Sequence, residues 1–505
     1  MYNSQSTHQM KRLLLIYTTL ISLFLGVSCS DFDELNKDPN NPTEIAPINI
    51  LNGVIKDGWE QPWDITQRYC QFYVTGYKLY GHQNYMLGRY PMNYDQLRNI
   101  SRMIAEAGKR NANEMKAYSP IAKFYQAYFY VRMSERLGDI PISESMKGVS
   151  EGNFTPKYDT QKEVYMQCLN LLQEANEEIS PLVKNHIKGG DDLFYGGDLG
   201  CWQKLINSFR LRVLISLSKH ADDSDLKIKE QFQTIISSPE QYPIMTSSAD
   251  NMQIVYPGGT TDRYPVYPDD TKENKQRNAI GETYLKILRD NEDPRIFVQM
   301  EAGDSINAGV PNREYMFSSY KGANSGDDMS LIAQGLNRSE YTTIKYSLYV
   351  TPTGSPCVQL GYPEVQFTIA EAINRGWIPG NASQYYENGI KADMQFYNIL
   401  QQQINSFLSG NNVLYKGNNP DGLKQILEQK YVSLFQNSGY QAFFDQRRTG
   451  VPVFNVGPGN DNGKIPVRWM YPENELLMNR KNLEEALKRQ FGGSDDINDV
   501  MWLIK

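Results

Sequence analysis

The chain has 505 residues, 22% of them charged, with 51 basic against 58 acidic side chains and a formal charge of −7. That sign, without a basic block in the body of the chain, excludes a nucleic-acid role, because binding phosphate needs clustered Lys and Arg. Enzyme signatures with a local spacing are missing too: there is no HExxH, no G-x-S-x-G, no P-loop and no dinucleotide fingerprint after a strand.

The N-terminus reads as an address. Lys11 and Arg12 form a basic n-region, and Leu13 to Leu25 an apolar core too short to span a bilayer as a stable helix. Leu25, Gly26, Val27 and Ser28 then lead to Cys29 in a pattern that resembles a bacterial lipoprotein cleavage box, in which the cysteine becomes the acylated first residue. An ordinary secretory cleavage would need the small residues but no cysteine. Residues 1–28 are thus expected to be a signal peptide, and 29–50 the acylated end and a tether solvated by Ser30, Asp31, Asp33 and Glu34. That acidic run also resembles the signal behind the acylated cysteine of lipoproteins displayed outside some Gram-negative outer membranes. Loss of the leader removes two bases and no acids, taking the charge from −7 to −9. No second apolar run approaches membrane-span length, so lipid alone is expected to hold the body to a membrane. No charged or low-complexity linker divides residues 51–505, which predicts one large domain.

The body opens as a series of helices. Ser119 and Pro120 start a segment with Ile121, Phe124, Tyr125, Tyr128 and Arg132 at helical spacing, closed by Gly138 and Pro141. Thr160 and Glu163 make a capping-box pattern ahead of Val164, Cys168, Leu171, Leu172, Ala175 and Ile179. A third stripe is Trp202, Leu205, Ile206, Phe209, Val213 and Leu217, and a fourth Val365, Ile369, Ala372 and Ile373. Two more are expected at Leu423 to Phe435 and Asn474 to Leu487. Each reads as an apolar face for packing and a polar face for water, which predicts an all-helical scaffold of paired helices without a strict 34-residue repeat.

Between about 239 and 356 Pro, Gly, Asn, Asp and Tyr dominate, and only Ala279 to Arg289 reads as a short helix. Irregular excursions of this length are usually functional, and the aromatic content argues against plain disorder. Asp191, Asp192 and Asp198 suggest calcium by composition, but their spacing departs from an EF-hand loop and fits turn and capping duties better. No metal or cofactor is expected. Cys70, Cys168, Cys201 and Cys357 are too widely spaced for a zinc module and read as free thiols, with a Cys168 to Cys201 bridge open if their helices meet. The isolated His82, His186 and His220 offer little for a catalytic triad, whereas a pair of carboxylates for glycoside hydrolysis leaves no sequence spacing and stays open.

Tyrosines number 34 against 19 phenylalanines, which suggests many rings at polar boundaries. A sugar presents apolar C–H faces and a hydroxyl rim, so flat rings beside polar side chains suit it, and peptides suit the same surface. Two stretches qualify as candidate ligand contacts: Tyr77, Tyr80, Tyr85, Arg89 and Tyr90, and, in the excursion, Tyr256, Tyr264 and Tyr267. Trp202, Trp377 and Trp469 lie on or beside helical stripes and read as core. Trp59 and Trp63, flanking Pro62, fit either role.

Five segments in order, 121–141, 196–218, 362–380, 430–452 and 465–487, resemble those of the SusD/RagB family of surface nutrient-binding lipoproteins. They carry a Gly-Asp-x-Pro turn at Gly138, a tryptophan-bearing helix around Trp202, an Ala-Glu-Ala core at Glu371, an Asp with paired arginines at Asp445, Arg447 and Arg448, and a closing Arg, Tyr-Pro, Asn pattern from Arg468 to Asn479. The resemblance implies a mainly α fold whose paired helices resemble tetratricopeptide units, decorated by long irregular loops that form the ligand face. It also implies a non-catalytic protein that captures an oligosaccharide, or in some members a peptide, and hands it to a SusC-like TonB-dependent transporter. The family's ligand loops vary, so the resemblance assigns no binding residue.

Overall fold

The computed structural model describes residues 44–61, 65–76, 87–265, 267, 277–345, 347, 351–460 and 463–505. The leader, Cys29 and the tether up to residue 43 lie outside these residues. Helices dominate: α1 Pro47–Gly58, α2 Tyr94–Gly108, α3 Tyr118–Leu137, α4 Gln161–Lys184, α5 Leu199–Ser216 and α6 Ile228–Ser237 come before the excursion. Consecutive helices are spatial neighbours, α1 with α2, α2 with α3, α3 with α4 and α4 with α5, which is the paired arrangement the spacing predicts. The capping box forms at α4: the Thr160 hydroxyl accepts from Glu163 N at 3.3 Å while the Glu163 carboxylate accepts from Thr160 N at 2.8 Å. Such a cap contributes about 1 kcal/mol.

The expectation of one dry and one wet face fails for the central helices. In α3, 16 of 20 residues are buried, and in α5, 15 of 18. Both have helices packed on more than one side, so their polar residues enter the interior and must be paired there. Arg212 of α5, for example, forks onto Glu364 at 2.7 and 2.5 Å and reaches the Gln359 carbonyl at 2.7 Å.

The excursion is more structured than its composition predicts. It contains α7 Glu282–Asp290, a short turn Arg295–Gln299 and α8 Met329–Asn337. The last was invisible in the sequence because only Ile332 and Gly335 of its nine residues are buried, so no periodic stripe exists to read. Its base is clasped by antiparallel pairing of β2 Met252–Ile254 with β6 Cys357–Leu360, and its interior by β4 Met300–Glu301 with β5 Thr343–Ile344. A third pairing ties β1 Tyr73–Thr75 to β3 Asn278–Ile280, in the register Tyr73 opposite Ile280.

Beyond it come α9 Tyr362–Asn374, α10 Ala382–Phe396, α11 Gln401–Leu408, α12 Pro420–Ser433, α13 Gln441–Thr449 and α14 Arg480–Phe491. The helix expected over 474–487 breaks at Asn479 into Glu473–Met478 and α14. Buried Asn479 leaves helical geometry, at φ −133° and ψ 31°, and its amide donates to the Pro156 carbonyl at 2.8 Å. That contact lies more than three hundred residues away in sequence and leaves no local signal.

Candidate ligand-binding site

Where the base of the excursion meets the end of α1, three rings form a platform. Trp59 follows Gly58 in extended geometry, and its ring centroid lies 6.2 Å from that of Tyr256 at 50°. Tyr256 in turn meets Tyr264 edge-on at 5.6 Å and 88°. Trp59 and Tyr256 are half-buried, whereas Tyr264, 2% exposed, is the underside of the platform beside buried Cys357. Gly354 takes φ +55° directly under the Tyr264 ring, and a Cβ there would stand 2.1 Å from it, so only glycine lets the ring lie down. Tyr264 N donates to Pro352 O at 2.7 Å, fixing the loop. Tyr267 lies farther along, with the exposed Arg263 guanidinium 5.8 Å from its ring. Burial pushes the Tyr256 and Tyr264 hydroxyls upward and the Cys357 thiol to about 12, so the phenols stay protonated and the thiol is unreactive.

The residue after Trp59 anchors the platform. Gln359 of β6 clamps the Glu60 backbone on both sides, accepting from Glu60 N at 3.1 Å and donating to Glu60 O at 2.9 Å. One Glu60 carboxylate oxygen accepts from Arg132 Nη2 at 2.7 Å and also from Arg136 Nη2, and the other accepts from Tyr440 N at 3.1 Å. Burial alone would raise this carboxyl, but Arg136 and Arg132 outweigh it and hold it below the ordinary value. Gly439 sits at φ +54°, where a Cβ would collide with the Glu60 carboxylate. Arg136 lies within 4.8 to 5.8 Å of the rings of Tyr90, Tyr440, Phe444 and Trp469.

The other candidates from the sequence have different surroundings. Tyr77, Tyr80, Tyr85 and Trp63 lie outside the described residues, as does Cys29. Arg89, which is exposed, donates to the Tyr471 carbonyl at 2.6 Å and pairs with Asp495 at 3.2 Å, and half-buried Tyr90 packs on Trp469 and Arg136, so both rest on the segment around Trp469 and Tyr471. Trp202, Trp377 and Trp469 are core, as expected. The indole of Trp202 donates to Asp192 at 3.1 Å, and the same carboxylate accepts from the backbone of Phe194, Tyr195 and Gly197. Asp198 caps α5, so these two aspartates serve turns and caps. Cys168 and Cys201 are not bridged: all four described cysteines are free, with Cys201 half-buried and the others buried. His220 stacks on Trp502 at 3.9 Å and bonds its carbonyl at 2.8 Å.

The surplus of tyrosine is largely structural. The hydroxyls of Tyr94, Tyr386, Tyr431 and Tyr471 each donate to a backbone carbonyl, at 2.5, 3.0, 2.8 and 2.7 Å. Such bonds staple distant segments while the rings fill the core. Trp59, which fits either role by sequence, differs from buried Trp202, Trp377 and Trp469 in being half-buried beside Tyr256.

Three carboxyls raised by burial lie in the interior: Glu135 goes to about 7, and Asp139 and Asp393 to about 6. Asp139 pairs with Arg489 at 2.6 Å and Asp393 with Arg295 at 2.6 Å. Glu135 lines a polar cavity of about 30 Å³ with Glu60, Arg132, Arg136 and Arg212, room for little more than water. Its proton stays on the folded protein up to about pH 7 but leaves the unfolded chain near 4.5, so stability falls as pH rises through that window. Glu135→Gln is therefore expected to stabilise the protein by about 1–3 kcal/mol at pH 8 and hardly at all at pH 4.5, measured by urea unfolding at both.

A family model described as starch-binding and associating with the outer membrane matches residues 39–472. The chain belongs to the SusD-like family. A SusD homologue of known structure from Bacteroides fragilis is 30% identical, with 91% of this chain and 100% of the homologue covered and a TM-score of 0.84. A second from the same species is 31% identical over 92% of this chain and 100% of its own, with a TM-score of 0.80. A Bacteroides vulgatus protein, described as an outer membrane protein with a role in nutrient binding, is 29% identical over 91% and 100%, at TM-score 0.81. No curated protein matches. The mainly α SusD-like fold with few strands agrees with the expectation, and the family is one of nutrient-binding outer-membrane proteins. No helix among the described residues is long and apolar enough to cross a membrane.

Proposed function

We propose that this SusD-like protein is a non-catalytic binding lipoprotein, acylated at Cys29, that faces the cell exterior. It captures an oligosaccharide and passes it to a SusC-like TonB-dependent transporter. The observation that carries the reading is the Trp59–Tyr256 platform: two partly exposed rings of different tilt, held from below by Tyr264 and from behind by Glu60. A sugar's C–H faces can stack on such rings while its hydroxyls meet the polar loop that follows. Tyr267 and the stretch from Tyr77 to Tyr90 extend the proposed contacts.

Calorimetry of the form starting after Cys29, against plant, microbial and host glycans and peptide mixtures, tests this. The expected result is binding of one glycan class without new reducing ends. Trp59→Ala and Tyr256→Ala are each expected to weaken it at least tenfold, about 1.4 kcal/mol, at unchanged melting temperature. Appearance of reducing ends would replace this reading with a lipid-anchored glycosidase. Binding of peptides alone would make it a peptide-capturing member. Affinity untouched by both substitutions would move the site off the platform.

A further inference from the structure

A cleft that shares no residue with the platform lies between the C-terminal end of α9, the first turns of α12 and the end of α13. Its volume is about 280 Å³, against about 30 and 20 Å³ for the polar cavities of the interior. That is near the lower end of the roughly 300–1,000 Å³ typical of small-ligand pockets. Its lining carries Lys219, Arg375, Lys424 and Arg448 with the hydroxyls of Ser218 and Thr449, and no carboxylate among the described residues. For a chain of net charge −7, four cations on one cleft is a local reversal of sign.

The charges beneath the cleft do not cancel it. Glu371, fully buried, accepts from Arg448 at 2.5 and 3.0 Å and from Arg375 Nε at 2.8 Å. Asp445 pairs with Lys430 at 2.9 Å and Arg448 at 2.8 Å. Three cations thus share two carboxylates, leaving one positive charge over. On the rim, Lys219 has no ion-pair partner among the described residues, and Lys424 has only Glu428 at 3.7 Å, outside the lining. Asp421, on the same helix, is exposed and is not in the lining either. The two terminal nitrogens of Arg375 have no partner among the described residues, and its side chain is 25% exposed. Arg448 is 3% exposed, and its buried Nε lacks a hydrogen-bond partner. Its terminal nitrogens are spent on Glu371, Asp445 and the Ser218 hydroxyl at 3.0 Å, so it gives the cleft a positive charge that need not be ordered on binding.

We propose that this cleft binds a compact oxyanion, a carboxylate, sulfate or phosphate, either free or as the acidic substituent of a glycan. The terminal donors of Arg375, fixed through its Nε by Glu371, favour the planar or tetrahedral oxygens of such groups, and Arg448 and the two lysines add charge. The apolar side chain of Leu423 leaves a wall for a carbon skeleton.

Titration calorimetry with sulfate, phosphate, glucuronate and a uronate trimer, at ionic strength held constant with chloride, tests this, with neutral glucose as control. At least one of the four is expected to bind saturably at one site, and the Lys219→Ala/Lys424→Ala double variant and Arg375→Gln to weaken that at least tenfold. The melting temperature without ligand should not move in the lysine double variant, because those two side chains are on the rim, whereas Arg375→Gln also removes a bond to buried Glu371 and is read by its affinity. Trp59→Ala should leave the binding unchanged, which separates this cleft from the platform. A trimer tighter than glucuronate identifies an acidic glycan as the source, and equal affinity identifies a free anion. No saturable binding beyond chloride, or binding indifferent to the rim variants, would overturn the proposal.

Discussion

Glu60→Ala is expected to destabilise the protein by about 3–5 kcal/mol, because the change leaves Arg132 and Arg136 buried without their shared carboxylate. Arg136 is 1% exposed on its side chain, and the cavity beside it has room for little more than one water, which replaces only part of a carboxylate. The rings of Tyr90, Tyr440, Phe444 and Trp469 still hold its guanidinium, which keeps the loss toward the lower end of that range. A functional loss should accompany it. Trp59 is the neighbour of Glu60 in sequence, so removing the carboxylate that ties residue 60 to Arg132, Arg136 and Tyr440 N loosens the platform. Glycan affinity should fall further in Glu60→Ala than in a Gln359→Ala variant, which removes only the backbone clamp. Urea unfolding at pH 7 and calorimetry on the same preparations measure both. A stability change below about 1 kcal/mol would show that the two arginines find other partners.

Arg295→Met should be as costly at pH 7, about 3–5 kcal/mol, and for the opposite reason: it strands carboxylates. The Arg295 side chain is completely buried. Its Nε donates to both oxygens of Asp293 at 3.0 and 3.1 Å, Nη1 to Asp393 at 2.6 Å and Nη2 to Gln429 at 2.5 Å. It therefore joins the turn after α7 to α10 and α12. Burial already raises Asp393 to about 6 with the arginine present. Without it the two aspartates repel each other, and protonation relieves the repulsion as pH falls. The deficit of the variant should consequently shrink between pH 7 and pH 5, followed by urea unfolding at both. A deficit independent of pH would mean that lost packing, not stranded charge, dominates. Arg295→Met with Asp393→Leu should recover part of the loss, because it replaces an ion pair by apolar volume.

These two networks mark where sequence reasoning stopped. Arg132 sits on a readable helical stripe, yet Glu60, its partner, is 72 residues away, and Arg295 meets Asp393 across 98. A charge on a stripe reads as its wet edge until a second helix covers it. The same limit applied to Asn479, whose remote carbonyl partner broke a helix that its own spacing predicted as continuous. Among the aromatics, the residue type put Tyr256 and Tyr264 in one candidate stretch, and the fold sets their rings 5.6 Å apart. It did not distinguish the buried ring from the half-buried one, nor bring Trp59 to them.

By itself the sequence determined the helical scaffold and family. Capping at Thr160, the stripes through Phe124, Trp202 and Ile369, and the turn at Gly138 are local patterns with local causes. Only the tertiary structure decided which rings face outward, which charges are buried in pairs, and where positive charge collects in a cleft. Those outcomes depend on segments far apart in the chain, brought together by core packing, and no short window of sequence contains both Glu60 and Arg132, Arg295 and Asp393, or Trp59 and Tyr256.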